Sequence, residues 1–305
     1  MSWQPAKEAA CSVPENCPAV ETVIVPKSRD IGGFAVRRAL PSTRRRMIGP
    51  FIFLDQMGPA SLPKGKGFDV RPHPHIGLST MTWLVDGEIM HRDSVGSVQA
   101  IRPGEVNWMT AGSGIAHSER SPDALRPDGP RLFGVQTWLA LPKKHEETAP
   151  RFEHHKAEAL PRIEGEGVYA TLVAGTGWGK RSPVGVFSET IFADARLSGG
   201  ATLTVPAEHE ERGIYILTGG VDIAGEGFET GTLLALRPGD PVDVRARGRT
   251  HLIVLGGEAA DGPRHIWWNF VSSSAERIEQ AKADWKAGRF AKVAGDDEFI
   301  PLPEG

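Results

Sequence analysis

Short runs of alternating or wholly apolar residues recur along the chain, and glycine and proline separate them. Such runs, bounded by turn-forming residues, are typical of β-strands. The clearest lie at 80–85, 106–110, 133–139, 213–217, 232–236 and 250–255. The 36 glycines and 24 prolines are spread between the runs, where they favour tight turns. The pattern therefore predicts an all-β fold.

Two short motifs suggest that the chain consists of two similar halves. The sequence AIRPGE at 100–105 recurs as ALRPGD at 235–240, and LVDG at 84–87 corresponds to LTGG at 217–220. Two matches in the same order at nearly the same offset indicate a duplication. We therefore expect two small β-barrels or sandwiches side by side.

A charged segment between the halves predicts an inter-domain linker. It spans 142–167 and contains Pro142, Pro150 and Pro161. The predicted division is a tail at 1–22, a first domain at 23–141, this linker, and a second domain at 168–305.

The second domain is expected to end in a helix followed by a tail. Ser273 and Glu276 have the spacing of a capping box. Ile278, Ala281 and Trp285 would lie on one face of the helix, and Gly288 would end it.

Composition narrows the classes of function. A chain of 305 residues with 40% hydrophobic content can bury two cores, and its formal net charge of -3 leaves no basic excess for direct nucleic-acid binding. Cys11 and Cys17 are the only cysteines, so we expect free thiols in a reducing compartment. The first eight residues lack a secretory pattern, and no apolar run reaches membrane-spanning length. A cytoplasmic protein is expected.

The candidate chemistry lies in two short stretches, each with two metal-binding residue types one residue apart. His73 and His75 form the first pair, and His117 and Glu119 form the second. Residues i and i+2 of a strand project from the same face, so two facing strands could bring four ligands together. Pro74 lacks a backbone donor, which places the first pair at a strand end or a sheet edge.

Three imidazoles and one carboxylate suit a divalent transition metal, and four ligands leave two octahedral positions open. The second half serves as an internal comparison. The two sequence anchors align the first pair with Pro206 and Glu208, and the second pair with residues near Leu252 and Val254. His209 and His251 lie one residue away, on the opposite strand face. The second domain is therefore predicted to lack metal ligands.

The segments HPHIG at 73–77 and NWMTAGSGIAHSE at 107–119 resemble the signature of the pirin family. The resemblance extends from about Val25 to Pro303. It implies two tandem cupin, jelly-roll-like β-barrels, with one Fe(2+) per chain bound by His73, His75, His117 and Glu119. Many cupins have a glutamate ligand four or five residues after the first pair, where this chain has Ser79 and Thr80.

The resemblance implies two classes of function. Some pirins resemble flavonol 2,3-dioxygenases, which cleave quercetin with O2, and others are regulatory proteins that bind transcription factors or metabolic enzymes. In the first case Glu119 would also be the general base for the substrate hydroxyl. A monomer is expected. The choice of iron as the metal rests on the resemblance, because the same ligand types also bind nickel, copper, manganese and zinc.

Other residues receive structural interpretations. His91 and Asp93 repeat the spacing without a second matching strand, so we expect them at the surface or behind the ligands. The adjacent His154 and His155 would face opposite ways, which disfavours coordination by both. The turn at 112–114 is expected to let the chain enter the ligand strand tightly. The tryptophans at 108, 138, 178, 267 and 268 could line an aromatic substrate pocket, but such residues are more often in the core of an all-β protein, and they are assigned to neither.

Overall fold

The computed structural model describes residues 9–14, 17–31 and 34–303. The predicted absence of a secretory signal concerns residues 1–8, which lie outside the described residues, as do the last two residues of the expected C-terminal tail. The described residues form twenty-six strands, three short 3-10 helices and one α-helix, α1 (Ala275–Lys286). The predominance of strands confirms the all-β prediction.

The strands of the first half of the chain are β1 (Ala10–Ser12), β2 (Val20–Val25), β3 (Lys27–Asp30), β4 (Ala35–Leu40), β5 (Phe51–Ser61), β6 (Asp69–His75), β7 (Leu78–Gly87), β8 (Ile89–Asp93), β9 (Val98–Ile101), β10 (Val106–Thr110), β11 (Ile115–Arg120), β12 (Arg131–Ala140) and β13 (Arg151–His155). The 3-10 helices are Asp123–Asp128, Lys143–His145 and Ala157–Ala159.

The strands of the second half are β14 (Arg162–Gly165), β15 (Val168–Gly177), β16 (Lys180–Arg181), β17 (Thr190–Leu197), β18 (Thr202–Val205), β19 (Glu211–Thr218), β20 (Gly220–Ile223), β21 (Glu226–Glu229), β22 (Leu233–Leu236), β23 (Val242–Ala246), β24 (Thr250–Gly257), β25 (His265–Trp267) and β26 (Phe270–Ser272). All six strand predictions fall on strands of the structure.

Each half forms a barrel from one large and one small antiparallel sheet. In the first barrel the large sheet has the order β13-β10-β7-β12-β5-β4-β3, and the small sheet has the order β6-β11-β8-β9. In the second barrel the corresponding orders contain β22-β19-β24-β17-β15 and β18-β23-β20-β21. The matching orders confirm two tandem cupin-type barrels with a C-terminal helix.

The large sheets of the two barrels pack against each other. Their shared apolar cluster contains Phe51 and Trp108 from the first barrel and Phe192 and Leu255 from the second. A polar contact crosses the same boundary, where Tyr215 Oη donates to Gln56 Oε1 at 2.7 Å. The barrels therefore share one core in addition to their own interiors.

The topology corrects the alignment that the sequence repeat suggested. The first RPG motif follows β9, whereas the second follows β22, which matches β10 in sheet order. That pair of motifs therefore lies on different strands of the barrel. By sheet order, β6 and β11 correspond to β18 and β23, so Pro206, Glu208, Leu252 and Val254 are not the equivalents of the candidate ligands.

Apolar side chains line the strands of the second barrel that match β6 and β11 in sheet order. Leu203 and Val205 of β18 lie opposite Val244 and Val242 of β23, and all four are buried. Leu203 and Val244 belong to one apolar cluster that fills the second barrel. The strands that carry histidines in the first barrel therefore match strands that carry core residues in the second.

Each end of the chain pairs with the barrel that the other half forms. The strand pairing therefore does not follow the predicted domain boundaries, and those boundaries stay a prediction. Within the expected tail and the start of the first domain, β1 and β2 extend the large sheet of the second barrel through β22. The predicted linker contributes β13 to the first barrel and β14 to the second. At the other end, Phe270 bridges to Ile76 of the first barrel.

The α-helix is confirmed, but its N-cap is Ser274 and not Ser273. The side chain of Ser274 accepts a hydrogen bond from the backbone N–H of Arg277. Ser273 instead donates its hydroxyl to Glu146 Oε2 at 2.8 Å. Ile278 and Ala281 are buried, and Gly288 follows the helix with a positive φ of 68°. The described residues include no helix with the length and apolar character needed to cross a bilayer.

A buried ion pair fixes the returning C-terminal segment. Arg264 Nε lies 2.7 Å from Glu146 Oε1, and the two side chains are 1% and 7% exposed. Glu146 also accepts the backbone N–H of Ser273 at 2.9 Å, and Arg264 Nη2 donates to Leu141 O at 2.8 Å. One carboxylate thus connects β26 to the segment between the barrels.

We predict that Glu146→Ala lowers the free energy of unfolding by about 3 kcal/mol, because it removes the buried carboxylate that pairs with Arg264 Nε and accepts the N–H of Ser273, although Asp261 still pairs with Arg264 Nη2. The matched control is Glu279→Ala, which removes the exposed pair of Glu279 with Lys282 and should cost no more than about 1 kcal/mol. Urea unfolding of the metal-free variants measures both. Equal losses in the two variants would contradict the prediction.

Candidate metal centre

Strand pairing brings the two candidate pairs together. β6 is the edge strand of the small sheet and pairs with β11, which confirms the edge placement inferred from Pro74. His73 lies directly opposite His117, and His75 lies two residues along on the same face of β6. Three imidazoles therefore project together into the first barrel.

Two glycines shape the turns next to these strands. Gly77 and Gly112 have positive φ values of 66° and 51°, and Gly77 N donates to Gly112 O at 2.8 Å. A Cβ atom would lie 2.0 Å from Val271 O at Gly77 and 1.9 Å from Thr148 O at Gly112. Only glycine fits both positions. The turn at 112–114 therefore leads tightly into β11, as predicted.

The three histidines form a compact, buried group. His73 and His75 are 0% exposed and His117 is 1% exposed. Each ring offers one nitrogen to a group of three, and these three nitrogens all lie within 4.8 Å of one another. His75 Nε2 lies 3.1 Å from His117 Nε2. Two nitrogens that bind one ion at about 2.1 Å in adjacent octahedral positions would be about 3 Å apart.

Hydrogen bonds on the far side of two rings select their tautomers. His73 Nδ1 lies 2.9 Å from Arg71 O, and His75 Nδ1 lies 3.0 Å from Asn269 O. A carbonyl oxygen can only accept, so Nδ1 carries the proton in both rings and Nε2 keeps its lone pair. His73 Nε2 is buried and has no hydrogen-bond partner. A cation at this point would satisfy these lone pairs.

Burial also keeps the three rings uncharged. It lowers the pKa of His75 to about 3 and lowers the pKa values of His73 and His117 well below their ordinary value. The neighbouring imidazoles act in the same direction on His73 and His117. Neutral imidazole is the form that binds metal ions. The donor set of the structure therefore fits a divalent transition metal.

Glu119 is buried on the same strand, but its carboxylate is not part of the three-histidine group among the described residues. Thr82 Oγ1 donates to Glu119 Oε1 at 3.2 Å, and Gln136 Nε2 donates to Oε2 at 3.1 Å. A register shift separates His117 from Glu119 in the pairing of β11 with β6. Burial raises the pKa of Glu119, against these hydrogen bonds. Its role as ligand and base stays a prediction.

Of the groups that surround the histidines, sequence reasoning had a local signal for His91 but none for Asn269 or for the contact of Trp138. Asn269 lies 194 residues from His75 and supplies a main-chain oxygen. Trp138 packs its ring edge-on against His75, with the ring centres 5.2 Å apart. His91 is buried behind His117, which agrees with the second of the two placements expected for it.

Four other histidines have structural contacts. His154 Nδ1 lies 2.6 Å from Asn107 Oδ1, and His155 Nε2 lies 3.3 Å from Glu153 Oε2. His209 Nε2 donates to Thr176 O at 2.9 Å in the second barrel. His251 lies at the boundary of the barrels, where its Nε2 is 2.5 Å from Asp194 Oδ2. This buried contact is typical of a structural histidine.

Comparison with known proteins agrees with the predicted fold and family. The pirin family profile matches residues 33–139, and the profile of the pirin C-terminal cupin domain matches residues 192–291. A pirin-like protein of Caulobacter vibrioides is 51% identical over 93% of this chain and 100% of its own length.

Two solved structures are also similar. The crystal structure of a quercetin 2,3-dioxygenase from Acinetobacter baumannii has a TM-score of 0.85 and 34% identity, covering 93% of this chain and 94% of the other. A bacterial pirin from Escherichia coli, solved in complex with nickel(II), has a TM-score of 0.61 and 19% identity, covering 77% and 96%. The second likeness concerns the fold alone.

We predict that His75→Ala abolishes metal retention, because it removes one of three converging nitrogens. The matched control is His209→Ala, a buried histidine of the second barrel whose loss should leave the metal content unchanged. Elemental analysis of both purified variants measures the bound metal. Full metal content in His75→Ala would contradict the ligand assignment.

Proposed function

The chain belongs to the pirin family, and on that premise we propose that it is a mononuclear iron-dependent dioxygenase that cleaves flavonols such as quercetin with O2. The observation that carries the proposal is the convergence of three buried, neutral imidazoles, two of which keep a free Nε2 lone pair. The likeness to a structure described as a quercetin 2,3-dioxygenase supports the substrate class. We further propose that the protein acts as a monomer on this small aromatic substrate.

Iron is the proposed metal, although imidazole and carboxylate donors also suit other divalent transition ions. A bound ferrous ion would supply a Lewis acid that stabilises the deprotonated flavonol oxygen. His73, His75 and His117 would hold it, with Glu119 as the proposed fourth ligand. Open positions would remain for substrate and O2.

Glu119 is the proposed base for the substrate hydroxyl. Burial raises its pKa, which moves the carboxylate towards the range in which a base is effective near neutral pH. Thr82 and Gln136 hold its two oxygens through the hydrogen bonds described above. They would keep the carboxylate oriented while it receives the proton.

The burial of the centre supports a second candidate function. All three imidazoles are at most 1% exposed, so a flavonol could reach them only after neighbouring side chains move. A closed centre of this kind suits a metal whose oxidation state changes a surface that a protein partner recognises. In this case the partner would be a transcription factor or a metabolic enzyme.

Oxygen uptake by the iron-loaded protein with quercetin distinguishes the two functions. The dioxygenase predicts uptake of one O2 per quercetin consumed, and His75→Ala measures the background from free iron. Uptake no faster than this background, from a protein with full iron content, would reject the dioxygenase and leave the regulatory role as the proposal.

We predict that Glu119→Gln lowers turnover per bound metal by about 100-fold or more, because the amide keeps the size of the side chain but cannot accept the proton. Metal affinity should also fall. Glu88→Gln is the matched control, since Glu88 forms an ion pair with the largely exposed Arg102 at the surface. Steady-state rates are divided by the metal content of each sample. Unchanged turnover per metal would exclude the role of Glu119 as a base.

A further inference from the structure

Two residues of β8, His91 and Asp93, lie next to β11, the strand that carries His117. His91 and Asp93 are 3% and 1% exposed, and β8 pairs with β11 so that Asp93 lies opposite His117 and His91 lies opposite Glu119. The ring of His91 stacks on Phe152, with the ring centres 4.5 Å apart and the planes at 19°. Its position is therefore determined by packing as well as by hydrogen bonds.

Asp93 is held by its own turn. Its Oδ1 accepts the backbone N–H groups of Val95 at 3.0 Å and Ser97 at 2.9 Å. Its Oδ2 lies 3.0 Å from His91 Nε2. Because a carboxylate only accepts, Nε2 of His91 carries the proton in this contact, and Nδ1 of the neutral ring is an acceptor.

The tautomer of His91 in turn bears on the tautomer of His117. His91 Nδ1 lies 3.4 Å from His117 Nδ1. If His91 accepts at this contact, His117 donates from Nδ1 and keeps a bare Nε2, the atom that faces His75 at 3.1 Å. His91 contacts the side of the His117 ring that faces away from the centre, so it is not placed as another ligand.

The Nδ1 atoms of the three histidines have two kinds of partner. His73 and His75 each direct Nδ1 at a main-chain carbonyl, which can only accept. His117 directs Nδ1 at another imidazole, which could donate or accept. Asp93 removes this ambiguity, because its contact places the proton of His91 on the far nitrogen.

We propose that His91 and Asp93 are positioning residues that set the tautomer and orientation of His117, so that the metal affinity of the centre depends on two side chains that do not bind the metal. The inference rests on the metal centre of the proposed function and is independent of flavonol cleavage. Partners of this kind behind a metal-binding histidine typically contribute about 10-fold to 100-fold in affinity.

The first test uses the unaltered, metal-free protein. Two-bond 1H–15N correlations of the imidazole rings show which nitrogen of each histidine is protonated. The proposal predicts Nδ1–H and a bare Nε2 in His117, with Nε2–H and a bare Nδ1 in His91. A proton on Nε2 of His117 would overturn it, whatever the variants below show.

The second test compares two variants of similar size. His91→Leu removes the acceptor, whereas His91→Asn places an amide oxygen near the position of the imidazole Nδ1. Titration with nickel(II) alone, in competition with a chelating dye at one pH, should show affinity about 10-fold to 100-fold weaker for His91→Leu. His91→Asn should retain most of the affinity.

The control for loss of a partly buried histidine from the same barrel is His154→Leu, which should bind nickel(II) like the unaltered protein. Equal weakening by His91→Leu and His91→Asn would overturn the proposal, because packing on Phe152 would then explain the effect. Unchanged affinity in His91→Leu would also overturn it. Neither test uses quercetin or O2, so its outcome is separate from that of the proposed function.

Discussion

The first barrel depends on one constraint, the convergence of three uncharged imidazoles that present lone pairs to the same point. Burial keeps the rings neutral, and a buried nitrogen without a partner, such as His73 Nε2, costs on the order of 1–3 kcal/mol until a cation satisfies it. Each ring also needs an acceptor behind it to hold the proton on Nδ1. Two main-chain carbonyls serve His73 and His75, and His91 is the corresponding contact of His117. The interior of this barrel therefore cannot be filled by apolar side chains alone.

The second barrel shows what the same architecture becomes without that constraint. Its sheet order matches that of the first barrel, yet one continuous apolar cluster fills it, and the strands that match β6 and β11 contribute Leu203 and Val244 to this cluster. The interior of the first barrel holds two separate apolar clusters, together with buried polar side chains such as Thr82. The two large sheets then pack face to face. One barrel thus carries the polar centre, and its apolar partner covers the outer face of its large sheet.

Assembly of the centre requires the segment that follows the second barrel as well as the strands of the first barrel. The segment after the second barrel returns to the first, where Phe270 bridges to Ile76 and Asn269 O accepts from His75. The buried contact of Glu146 with Arg264 holds this return in place. His75 is therefore oriented by a residue that follows the whole second barrel. Stability of the C-terminal segment and geometry of the centre are coupled through these contacts.

The sequence by itself determined the strands, the class of fold and the ligand-bearing motif, because the two-residue period of a strand is visible within a few residues. The spacing of His73, His75 and His117 already places their side chains on shared faces, and the resemblance to a family supplied the cupin architecture. Only the tertiary structure decided which strands pair and in which register. The RPG repeat pointed to an incorrect alignment because two turns of similar sequence follow non-equivalent strands, and a local match carries no information about sheet order. The local pattern left His91 either at the surface or behind the ligands, and it gave no sign of Asn269. The contact of His91 with His117 and that of Asn269 with His75 depend on registers set by packing across the whole barrel.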